Sequence, residues 1–231
     1  MPELSVLAAG SLKDLVARLR DAPKGLNRCF KRPPKHPGQA RRGKAPSTNP
    51  EPATAGISAI LGQPLAQTAL ALAAAGGHHL PMVGPPGCGK TLLARHLPHL
   101  LPPLSQQEAL DISRVHSIAG VLTAGNGLVR QRPFRAPHHS CSIAALLGGG
   151  ALPRPGELSL AHGGVLFLDE LAEFPRRVLD QLRQPLEEGE LWLSRSRLKC
   201  KFPCRITLVA AANPCPCGWF GDLDHPCRCS A

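Results

Sequence analysis

The chain has 231 residues, 43% of them hydrophobic, enough to build one good-sized core with an appendage. No apolar run approaches the roughly 20 residues that would span a bilayer and no stretch reads as an export signal, so the composition is that of a globular protein. The formal charge is +11, and nine cysteines, an odd number, with one in a glycine-rich loop, argue for a reducing cytoplasm over a disulfide framework.

The charge is uneven. Residues 1–54 carry eleven Lys and Arg against four Asp and Glu. Their first part, "PELSVLAAGSLKDLVARLR", mixes charges into apolar positions as an amphipathic helix does. The stretch "KGLNRCFKRPPKHPGQARRGKAPSTNPEPAT" is rich in Pro, Gly and basic residues without an apolar period, and reads as a disordered linker. It either contacts nucleic-acid phosphates or serves only to solubilise. From residue 55 to 231 the pattern changes to a second, folded domain.

"QPLAQTALALAAAGGHH" predicts a helix closed at Gly76-Gly77, after which "LPMVG" has the form of a buried parallel strand. "GPPGCGKTLLARHLPHLLPPL" is a loop running into a helix that Pro102-Pro103 stops, and "SQQEALDISRVHS" starts with a capping box of Ser105 and Glu108. "GGVLFLDE" is an apolar strand meeting two acids, "RRVLDQLRQPLEEG" a helix ending at Gly189, and "RITLVAAANP" another buried strand. This alternation predicts an α/β fold, a parallel sheet flanked by helices. His78-His79 reads as a packed or capping pair.

Gly84 to Thr91, G-P-P-G-C-G-K-T, matches G-x-x-x-x-G-K-[ST] between a strand and a helix, the context a phosphate-binding loop requires. Gly84, Gly87 and Gly89 let the backbone turn its N–H groups inward, with Pro85, Pro86, Cys88 and Leu92 completing the cradle. Lys90 is placed to reach the β- and γ-phosphates of ATP, and Thr91 to ligate Mg²⁺. In "VLFLDE", Asp169 supplies the carboxylate that holds Mg²⁺ through water and Glu170 the base that polarises the attacking water. Asn213, at the tip of "LVAAAN", either orients that water from a strand between the other two or simply begins an Asn-Pro turn.

These pieces in this order resemble the AAA+ class of P-loop NTPases. "QRPFRAPHHSCSIAALLGGGALPRPGELSLAHGGVLFLDELAEFPRRVLDQLRQPLEEGE", followed by "SRSRLKCKFPCRITLVAAANPCPCG", resembles the magnesium-chelatase-like branch, of the ComM/YifB type associated with natural transformation and branch migration of DNA. "RPFRAPHH" marks that branch. The resemblance covers about residues 55–230. It implies an ATP hydrolase working as a homo-oligomeric ring, a hexamer in form, on DNA in the cytoplasm, with two inserted β-hairpins, "PRPGELSLAHGG" and "GELWLSRSRLKCKFPCRI", reaching a central channel. Alternation in the second would put Arg195, Arg197, Lys199 and Lys201 on one face, for phosphate contact or as a solvated surface.

The same resemblance implies a Lon-protease-like domain of which residues 1–54 would carry the end, and lid helices with a trans-acting arginine beyond residue 231, so that the chain reads as truncated. A metal-insertion ATPase, or an ATP-binding module without turnover, are the competing readings. His138 and His139, expected on opposite sides of a strand, suit structural or interface roles over zinc. Cys215, Cys217, Cys227 and Cys229 form two Cys-x-Cys pairs. They are either a zinc knuckle or reduced thiols.

Overall fold

The computed structural model describes residues 63–122, 127–150, 153–195, 198–221 and 225–229. The amphipathic helix and basic linker expected over 1–54, and Arg197, lie outside them. Helix α1 (Pro64–Gly76) starts on a proline and closes on Gly77, whose left-handed backbone lets its N–H reach Ala73 O. Strand β1 (Leu80–Val83) leads through the glycine loop into α2 (Lys90–Leu100), then α3 (Gln106–Ala119). The capping box at Ser105 and Glu108 forms in both directions.

The central sheet is parallel, in the order β1–β8–β5–β2, with β2 at Phe134–Arg135, β5 at Val165–Leu168 and β8 at Thr207–Ala212. All four residues of β5 are buried. Because side chains alternate along a strand, Val165 and Phe167 enter one core with Leu70, Leu93 and Leu97, while Leu166 and Leu168 enter the other with Leu158, Val178 and Leu182. Both faces are thus covered, which is why the strand reads as an unbroken apolar run. The second face is closed by α6 (Arg176–Glu188), whose buried residues Val178, Leu182 and Pro185 recur at helical spacing before Gly189 ends it.

Three expectations differ. "LPMV" does form a parallel strand, but β1 is the edge of the sheet among the described residues, and Pro81 and Val83 are exposed. The segment expected as the first reaching hairpin is mostly folded inward. Only β3 (Gly148–Gly149) and β4 (Arg154–Pro155) pair, after the short α4 (Ile143–Leu147), and α5 (Glu157–Leu160) buries Leu158, Ser159 and Leu160. The second hairpin is present as β6 (Glu190–Arg195) and β7 (Leu198–Pro203), but its register pairs Ser194 with Lys199 and Trp192 with Lys201, whereas Arg195 opposes Leu198. Since opposed residues share a face, Lys199 and Lys201 lie together with Ser194 and Trp192, and the side chain of Arg195 lies outside those described. The other face carries Leu191 into the core. Among the described residues, no helix is long and apolar enough to cross a membrane.

Candidate functional site

The parallel sheet brings the carboxyl ends of β1, β8 and β5 side by side, the edge where ligands bind in open α/β sheets. The ladder runs up to the glycine loop: Gly84 N–H donates to Ala212 O at 3.3 Å. Gly87 and Gly89 take φ of 79° and 87°, values that side chains resist. At Gly84 a Cβ would stand 2.9 Å from Cys88 Sγ, so a larger residue there would need that side chain to turn away. Gly89 is the N-cap of α2, so Lys90 begins the helix and carries its cation to the end where N–H groups are unpaired.

Lys90 Nζ donates to Gly84 O at 2.6 Å and Pro85 O at 2.9 Å, and reaches Asn213 Oδ1 at 3.3 Å. The ammonium therefore ties the loop to the tip of the middle strand, and Asn213 does lie between β1 and β5 as the sequence suggested. Thr91 Oγ1 donates to Asp169 Oδ2 at 3.0 Å across 78 residues of sequence, while Asp169 Oδ1 accepts from Glu170 N–H at 3.0 Å. A hydroxyl and a carboxylate converging at a helix start are hard oxygen donors of the kind Mg²⁺ takes. Glu170 adopts a left-handed backbone, φ 53° and ψ 50°, an arrangement that costs a non-glycine residue of order 1 kcal/mol or more. A cavity of about 360 Å³ is lined by residues 86–92 with Asp169, Glu170 and Asn213. Gly84 and Pro85 stand behind it, their carbonyls turned to Lys90.

The "RPFRAPHH" segment supplies what the sequence reading did not assign. His138 and His139 are not on a strand; they follow β2 in a turn, their rings packed 4.0 Å apart. His139 Nδ1 sits 3.1 Å from Glu170 Oε2 and its ring meets Phe174 edge-on. The segment is anchored by two arginines. Arg132 bonds Pro102 O, Gly163 O and Glu108. Arg135 makes a two-pronged pair with Glu157, which raises its pKa and gives the geometry guanidinium favours. Phe134 stacks on Phe167 at 6.0 Å. A histidine near an acid in sequence would have been a signal; here 31 residues separate them and only the β2–β5 pairing joins them. His79 Nδ1 accepts from Leu208 N–H at 3.0 Å, a capping role.

Beyond Asn213 the chain folds back so that Cys215, Cys217, Cys227 and Cys229 bring their sulfurs within 4.8 Å of one another. The backbone amide of Arg228, then that of Trp219, and the Cys215 thiol pull the Cys217 thiol down to about 6. Buried Cys204, by contrast, is pushed up to about 12 by desolvation and is a structural thiol.

The family model described as magnesium chelatase, subunit ChlI, matches residues 56–231. The competence protein ComM of Haemophilus influenzae is 54% identical over 168 residues, covering 72% of this chain and 33% of that protein. The YifB protein of Escherichia coli is 51% identical over 171 residues, 74% of this chain and 34% of its own length. The chain thus spans about a third of the length of the curated relatives it matches. In a solved complex of the magnesium chelatase subunits BchI and BchD, a chain 26% identical superimposes with a TM-score of 0.56, over 72% of this chain and 56% of that one. With its phosphate loop, its apolar strand ending in Asp-Glu and its parallel sheet in the order found, the chain belongs to the magnesium-chelatase ChlI family of AAA+ proteins, on the side of the ComM/YifB type.

Proposed function

We propose that this chain binds ATP with Mg²⁺ in the cleft at the ends of β1, β8 and β5. As part of a longer, ring-forming protein, it would couple ATP hydrolysis to the remodelling or branch migration of DNA. The observation that carries the ATP reading is the convergence of Lys90, Thr91, Asp169, Glu170 and Asn213 on one cavity. The residues fit the metal, because Thr91 and Asp169 offer oxygen donors within 3.0 Å of each other. Bound Mg²⁺ neutralises the charge on the transferring phosphoryl group. Lys90 exchanges its loop carbonyls for phosphate oxygens, and the amides of residues 87–91 close around them. Glu170 takes the proton of the attacking water, and Asn213 holds that water by its amide.

His139 extends this reading. Its contact with Glu170 fixes where the carboxylate stands, and orientation of a base governs its efficiency. His139→Ala is expected to lower phosphate release about tenfold while leaving ATP affinity unchanged. Equal turnover in the two proteins would remove His139 from the catalytic arrangement.

The DNA reading is supported by similarity to a protein named for competence. It is also supported by the exposed Lys199 and Lys201 side by side on the β6–β7 hairpin, cations suited to phosphates. The test is ATP-dependent phosphate release with and without branched DNA at low salt. Stimulation that falls on Lys199→Ala/Lys201→Ala supports the reading, and release indifferent to DNA rejects it. A metal-insertion role is favoured by the match to the magnesium-chelatase family model and by the 30% identical magnesium-chelatase 67 kDa subunit of Heliobacterium mobile. An unchanged porphyrin spectrum in a reconstituted insertion assay would remove it.

A further inference from the structure

The four cysteines after Asn213 form a compact set with a geometry of its own. Sγ of Cys215 lies 3.3 Å from that of Cys217 and 3.8 Å from that of Cys227, the Cys217 and Cys227 sulfurs are 3.6 Å apart, and all four sulfurs lie within 4.8 Å of one another. Four sulfurs placed tetrahedrally at about 2.3 Å from a zinc ion stand about 3.8 Å from one another, so three of the four already stand near the spacing of a thiolate shell and the fourth is within reach of it. These separations are well beyond the roughly 2.05 Å of a disulfide bond.

A second observation is independent of the spacing. Backbone amides aim at the sulfurs: Phe220 N–H donates to Cys215 Sγ at 3.3 Å and Cys217 N–H to Cys229 Sγ at 3.4 Å. Donors of this kind orient thiolate ligands and offset their charge. The loop between the pairs is closed by Trp219 stacked on His225 at 4.1 Å, so the ring that could have competed as a ligand lies against an indole.

The position of the set gives it a task. Asn213 follows the last residue of β8 and stands two residues before Cys215. On the other side, Gly218 is in such close contact with the phosphate loop that a Cβ there would stand 2.8 Å from Pro86 Cδ. We propose that Cys215, Cys217, Cys227 and Cys229 bind one Zn²⁺ as thiolates, and that the resulting knuckle holds the end of β8 against the loop at residues 84–89. Binding displaces the remaining thiol protons to solvent and changes no oxidation state. The assignment stands apart from the ATP reading, since it concerns a bound ion and the order of two segments.

The test begins with zinc in the chain purified under reducing conditions and with Co²⁺ titrated into the metal-stripped protein. About one equivalent of zinc is expected. The cobalt form should show the strong thiolate-to-metal charge-transfer and ligand-field absorption of a tetrahedral sulfur site. Cys227→Ser/Cys229→Ser should lose both signals. Because that variant could also fail to fold, the cobalt spectrum of the unaltered chain decides: less than about half an equivalent of zinc together with no charge-transfer band overturns the site. The second half is read by hydrogen exchange before and after removal of zinc by a chelator. Faster exchange at both 213–221 and 84–89 supports the brace. Faster exchange at 213–221 alone, or no change in either segment, overturns it.

Discussion

Replacing Lys90 by Ala is expected to weaken ATP binding about 100-fold, by roughly 2.7 kcal/mol. The size follows from a balance. A charge-assisted hydrogen bond contributes about 1.5–3 kcal/mol, and Lys90 is placed to offer more than one to a triphosphate. In the free cleft, however, the ammonium is already bonded to Gly84 O, Pro85 O and Asn213, so part of that gain is offset by contacts given up. Lys90→Arg is expected to restore little, because a planar fork cannot sit in the same tight turn of carbonyls. Equilibrium titration with a fluorescent ATP analogue checks both variants; affinity within about threefold of the unaltered chain would contradict the role given to Lys90.

Glu170→Gln should separate binding from chemistry. The amide keeps the size of the carboxylate and an oxygen that can accept from His139 Nδ1, whose present contact is 3.1 Å. The turn at φ 53° is thereby left in place. What the substitution removes is a proton acceptor, and general-base catalysis of this kind contributes about 10²–10⁴ in rate. Single-turnover phosphate release is expected to fall by that factor with ATP affinity preserved. A matched loss of affinity would mean that Glu170 acts by holding nucleotide or metal, and unaltered release that another group takes the proton.

The parts of this site that the sequence disclosed are those set by local rules. The glycine pattern at 84–91 fixes its own backbone, and the capping box at Ser105 is complete within four residues. The buried run Val165–Leu168 must be a strand covered on both faces, with its acids emerging where cover ends. Asn213 was legible for the same reason, as the first polar residue after an apolar strand.

The parts that stayed hidden depend on pairing between distant segments. That β1 lies at the edge of the sheet among the described residues, with Val83 exposed, follows from strand order, which no local pattern encodes. Lys199 faces Ser194 across the hairpin, and Lys201 faces Trp192, because the register, not the alternation along each strand, decides which residues are opposed. His139 joins Glu170 only because β2 lies beside β5, with Phe134 opposite Val165. The segment "PRPGELSLAHGG" folded inward because Leu158 and Ala161 have a core to enter, and Arg135 holds Glu157 at its start.

The metal-dependent cleft is the centre of this account, and it is tested most directly by titrating ATP into the unaltered chain with Mg²⁺ and again with Mg²⁺ removed by EDTA. Thr91 and Asp169 converge within 3.0 Å, and a cation held between them and the phosphates should strengthen binding at least about tenfold. One saturable site per chain is expected, weakening by that factor in EDTA. No saturable binding in either condition, or an affinity indifferent to the metal, would contradict it.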